Sequence, residues 1–136
     1  MKTMVEKLVR VEREMAAERG PFFLFALLLR EDAPNVWDLV ASSSWIGKDK
    51  AGALGYVSEK VSSALEPDEL VKLSRIVLIE PDSPSLAAFQ QALSVEHGTV
   101  EIKDSEFSGL RIRQGYLITS RRRTDTKTHG LVERTR

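Results

Sequence analysis

The sequence predicts an α/β domain of α+β character, with a mixed sheet of about five strands, helices on both faces and the order αββααβαββ. Three observations carry that expectation. The uncharged run from Pro21 to Leu29 has the length of a strand covered on both faces. Several segments repeat apolar residues at helical spacing. Others, around residues 36–46 and 110–118, repeat them at every second position.

Residues 3–19 read as an amphipathic helix, with Met4, Leu8, Val11 and Met15 on one stripe and Gly20 and Pro21 ending it. The stripe is long enough for a short dimerisation seam, but packing on the chain's own sheet is its simpler use. Strand one covers 22–30, EDAPN turns the chain, and strand two returns over 36–46 as a hairpin. Alternation places Trp37, Leu39, Ala41, Ser43 and Trp45 on one face of strand two. The two tryptophans either cover core beneath a helix or form an aromatic platform for a ligand or partner.

A helix is expected from about Asp49 to Leu65, with Leu54, Val57, Val61 and Ala64 or Leu65 buried. Gly52 and Gly55 each cost such a helix about 1 kcal/mol relative to alanine, which predicts a tightly packed neighbour. Pro67 starts a short helical turn through Leu73, and RIVLI supplies strand three, Arg75 to Glu80. A helix from Pro84 to about Ser94 follows, capped by Ser83. TVEIKD is strand four. GLRIRQGYLITS reads as one long strand with an irregularity at Gly115, or alternatively as a hairpin turning at QG. Helical connections between strands two and three, and between three and four, favour parallel pairing with right-handed crossovers.

A chain of 136 residues is expected to form one domain with a core of its own. Residues 1–120 make that domain in this reading, and 121–136 a basic, flexible tail with six basic and two acidic side chains. The absence of cysteine excludes disulfides, thiolate metal sites and a cysteine nucleophile, and fits a cytoplasmic location. The apolar run stops at Arg30, far short of the roughly 20 residues a spanning helix needs, so no membrane association is expected. Acidic residues at Glu6, Glu12, Glu14 and Glu18 argue against a secretory signal.

Open sheets with helical crossovers bind ligands beyond the carboxyl ends of their parallel strands. Those ends bring Ser42, Ser43, Ser44, Lys48, Glu80 and Asp82 into one candidate edge, with Trp37 and Trp45 as a candidate aromatic face. No phosphate-loop motif appears. Asp82, with Glu101 and Lys103, resembles the PD-(D/E)xK nuclease signature, which implies two metal-ligating carboxylates and a lysine that positions water. The pattern is unspecific, because Pro67-Asp68 and Asp125-Thr126-Lys127 repeat its halves. His97 and His129 sit in no recognisable catalytic or metal-binding spacing, and no cofactor or metal is predicted. Arg121, Arg122, Arg123 and Lys127 could neutralise nucleic-acid phosphates, although no aromatic residue interleaves them.

At LREDAPNVWDLVASSSW, LSRIVLIEPDSP and LSVEHGTVEI the chain resembles a family of small uncharacterised bacterial proteins, over about residues 20–120. That resemblance implies a bacterial, cytoplasmic protein and carries no residue roles. Three functions are compatible with the residues. They are a non-catalytic interaction or regulatory domain binding a protein partner or itself, a nucleic-acid binder working through the tail, and a metal-dependent nuclease.

Overall fold

The computed structural model describes residues 2–32, 35–84, 86, 87, 90, 95–107 and 110–121. Its strands are β1 (Phe22–Arg30), β2 (Trp37–Ser43), β3 (Leu73–Leu78), β4 (Val100–Phe107) and β5 (Leu110–Ser120). They form one mixed sheet in the order β3-β2-β1-β5-β4. β1 pairs antiparallel with β2 and β5, β2 runs parallel to β3, and β4 and β5 form an antiparallel pair.

The apolar run is the middle strand. Every residue from Phe22 to Leu29 is buried, because β1 has a strand on each side and a packed layer on each face. Phe22, Phe25, Leu27 and Leu29 join one core cluster. Phe23, Leu24, Ala26 and Leu28 join the other. Phe23 and Leu24 are adjacent yet share a face, which the pairing irregularity between Phe22 and Leu24 permits.

The first cluster lies under α1 (Lys2–Arg19) and α3 (Lys50–Ala64). Met4, Leu8, Val11 and Met15 of α1 are all buried in it, so the stripe is spent on the chain's own sheet. Gly20 ends α1 at a φ of 122°, a conformation that side chains with a Cβ avoid. Leu86 caps the second cluster; residues 84, 86, 87 and 90 of the expected helix are helical, and its other residues lie outside those described.

Several boundaries differ from expectation. Strand two ends at Ser43, because β1 begins at its partner Phe22 and no strand lies beyond to pair with. The chain turns there into α2 (Ser44–Lys48), which carries Trp45. The buried stripe of α3 is Ala53, Val57, Val61 and the following Leu65, while Leu54 is 42 % exposed. The register starting at Ala53 is equally regular, and the size of Leu54 obscured it. No tight neighbour faces the glycines of α3. Gly52 makes room for the carboxylate of Asp49, which caps the helix by accepting from the Gly52 N–H at 3.0 Å, and Gly55 faces open space.

α4 (Pro67–Leu70) is a single turn with Glu66 and Glu69 as a reciprocal capping box, and β3 begins at Leu73 rather than Arg75. β3 and β4 do not pair; they occupy opposite edges, because β5 takes the remaining side of β1 and β4 follows it as a hairpin arm. β5 is one strand of eleven residues. A Cβ on Gly115 would come 2.8 Å from Leu28 and 3.0 Å from Ile102, so this glycine allows the side chains of two neighbouring strands to meet above it.

Candidate functional sites: a Glu12–His97 cluster and an open strand edge

The carboxyl ends of β2 and β3 lie side by side, with Ile79 N–H donating to Ala41 O at 2.8 Å. Their hydroxyls do not converge on solvent. Ser43 donates to Pro21 O at 2.8 Å, and Ser42 Oγ is buried with no partner among the described residues. Ser44, Lys48, Glu80 and Asp82 are exposed, and Glu80 lies 4.0 Å from Lys50. Trp37, 7 % exposed, packs against Tyr116. Trp45 packs between Phe22 and Tyr56 and donates to Gly20 O at 3.0 Å. The two indoles therefore belong to separate aromatic groups on one side of the sheet.

Asp82 follows β3 and Glu101 lies on β4, with β2, β1 and β5 between them. Four steps of about 4.8 Å separate the two edges by roughly 19 Å, so these carboxylates do not share a cation. Lys103 pairs with Glu101 at 3.8 Å on the same strand. Among the described residues, no group of three or more His, Asp or Glu is placed to hold a metal ion. Arg121 is held by Glu96 at 2.6 Å, and its N–H donates to Phe23 O. Arg122, Arg123, Lys127 and His129 lie outside the described residues.

A dense polar arrangement among the described residues involves a histidine that motif spacing left unassigned. Glu12 is fully buried on the apolar side of α1. Its Oε1 meets Nδ1 of His97 at 2.6 Å, and its Oε2 accepts from Thr119 Oγ1 at 2.8 Å. Thr119 Oγ1 in turn accepts the His97 backbone N–H at 3.2 Å, which helps hold His97 at a φ of 53°. Beyond the imidazole, Nε2 faces Glu96 Oε2 at 3.6 Å, and Glu96 pairs with Arg121. Opposite the Glu12 carboxylate, Nδ1 is the donor of the short contact, and Nε2 is turned toward the Glu96 carboxylate. The sequence held a signal for this. Glu12 follows Leu8 by four and precedes Met15 by three, and a carboxylate on a buried stripe requires a partner.

A second buried carboxylate, Asp38 on β2, is clamped by Arg30 Nε at 3.0 Å and Arg75 Nε at 3.1 Å. Arg75 thereby turns its charge back toward the sheet. The groove between α1 and α3, about 540 Å³, is lined by Lys7, Arg10, Glu14, Glu59 and Lys60 and mixes both signs of charge.

The two sheet edges differ in kind. β4 carries Glu101, Lys103, Asp104 and Glu106, and Asp104 adopts a φ of 45°, outside the extended range of a strand. Charges and irregularities of this sort obstruct strand addition. β3, LSRIVL, has Arg75 as its single charge. Because Ile79 donates inward to Ala41, the two-residue alternation turns the N–H and C=O of Ile76 and Leu78 outward. No described residue pairs with that edge. Among the described residues no helix is long and apolar enough to cross a membrane. In comparisons with protein-family models, curated proteins and solved structures, the chain matches none.

Proposed function

We propose that the chain is a non-catalytic interaction domain that takes an extended strand of another polypeptide onto the outer edge of β3. The asymmetry of the edges carries this reading: β4 is charged and interrupted by the positive φ of Asp104, whereas β3 offers backbone groups that no described residue pairs, beside the half-buried Ile76 and Val77. Main-chain hydrogen bonds along such an edge supply affinity, and alternate side chains supply selectivity. The α1 stripe and the tryptophans are largely occupied, since the stripe and Trp37 are buried in the core and Trp45 packs on it.

The nuclease alternative has no shared cation position between Asp82 and Glu101 to support it. Of the tail residues, Arg121 is already paired with Glu96.

A phage-displayed library of short extended peptides tests the proposal, selected at low protein concentration and counter-selected on Ile76→Pro. Proline at an outward-facing edge position removes one docking donor and leaves the bonds to β2 in place. Peptides that bind the wild-type chain and lose at least tenfold affinity for Ile76→Pro support the reading. No enrichment, or equal binding to both proteins, overturns it.

A further inference from the structure

We infer that the strand seated on β3 is β3 of a second copy of the chain, paired antiparallel about a twofold axis at Val77. The inference rests on the interaction reading above and names its partner. A twofold axis makes the same patch meet itself, so the edge must be complementary to its own reverse.

β3 meets that condition in one register especially well. With Val77 opposite the partner's Val77, Ile76 stands opposite the partner's Leu78, and the converse pair repeats it. The outward N–H and C=O groups of Ile76 and Leu78 are then all engaged, since antiparallel partners exchange both bonds at such positions. Arg75 falls opposite the partner's Ile79, far from the partner's Arg75. A register centred on Arg75 would instead set two like charges face to face, which is destabilising.

Charge complementarity extends past the strand ends. Beyond the strand, the same register sets Lys72, just before β3, near the partner's Glu80–Ser83 turn, which carries Asp82, at both ends of the pairing. Lys72 and Asp82 are exposed, and among the described residues neither makes a salt bridge, the nearest acidic influence on Lys72 being Glu69 of its own chain. Val71, 76 % exposed and the most exposed large apolar residue of the described chain, lies beside Lys72 at the same edge. Pairing also removes the open edge, which otherwise invites disordered aggregation.

Sedimentation velocity of the full chain over a wide concentration range tests the inference. The wild-type chain is expected to reach the mass of a dimer. Ile76→Pro and Lys72→Asp are each expected to weaken the dimer at least tenfold while circular dichroism stays unchanged, and Lys72→Asp combined with Asp82→Lys is expected to restore it. Because Lys72 and Asp82 are exposed, the charge swap keeps the test open should the proline variant fold poorly. A monomer at every concentration overturns the inference and leaves the peptide selection to decide the interaction reading. A dimer insensitive to both single variants, or one not restored by the swap, places the contact elsewhere and overturns it equally.

Discussion

Glu12 and His97, 85 positions apart, meet at 2.6 Å between Oε1 and Nδ1, and the carboxylate end of that pair is wholly buried. The contact ties α1 to the segment that precedes β4, and Thr119 ties both to β5. It is a long-range polar clasp set within an apolar layer.

Removing the clasp from one side leaves its other members unsatisfied. Glu12→Ala is expected to cost about 3 kcal/mol, from two orphaned polar groups and a cavity. Glu12→Gln keeps an acceptor for Thr119 and offers His97 a donor, so about 1 kcal/mol is expected. Urea unfolding checks both values. In Glu12→Gln the amide N–H donates to Nδ1, so the Nδ1–H signature of His97 should be lost from its nitrogen chemical shifts, and its retention counts against this contact.

Two glycines of the first helical layer, Gly55 and Gly20, respond in opposite directions to alanine. Gly55 is an exposed helical position with open space around it, so Gly55→Ala is expected to stabilise by about 1 kcal/mol. Gly20 sits at a φ of 122°, and Gly20→Ala is expected to destabilise by about 1–2 kcal/mol. Thermal melts of the two variants, shifting to opposite sides of the wild-type midpoint, are the readout.

Asp38 is held by two guanidiniums from neighbouring strands, one of them 53 % exposed on its side chain. Solvent screening tempers that second contact. Asp38→Asn is expected to cost about 2 kcal/mol, and combining it with Arg75→Gln to add less than the two separate losses. Full additivity in a double-mutant cycle would rule out coupling between Arg75 and Asp38.

Stability should fall at both ends of the pH scale. Hydrogen bonds from Tyr56 and then Lys60 hold Glu18 below its usual 4.5, and the Glu66 backbone N–H and then Lys7 do the same for Glu69. A folded-state value below the unfolded one gives stability that is present above pH 4.5 and lost as pH falls through the folded values. Burial, and then the bond to Glu18, push Tyr56 from 10.0 up to about 12, and the Glu69 bond raises Lys7 above 10.5. Folded values above the unfolded ones give stability complete below pH 10 and lost as pH rises toward about 12. Glu18→Gln should flatten part of the acid limb, and Tyr56→Phe part of the alkaline one, in urea midpoints measured across pH.

Residues 22–29 announced the central strand because an apolar run of strand length, bounded by a Gly-Pro stop and a charged turn, needs cover on both faces wherever it lies. The α1 stripe, the hairpin from β1 to β2, the capped start of α3 and the single long β5 were legible for the same reason: periodicity and capping act within a few residues of each other. Leu54 was misplaced because two helical registers of the same segment were equally regular, and packing chose the one through Ala53. Strand order was beyond local reading. That β3 and β4 stand at opposite edges, that Asp82 is thereby parted from Glu101, that Arg75 turns back to Asp38, and that Glu12 finds His97 all depend on pairings between distant segments. Only the tertiary structure decided them, because strand registers and buried polar contacts are settled by the whole sheet closing its backbone bonds and core together, and no short stretch of chain carries that information.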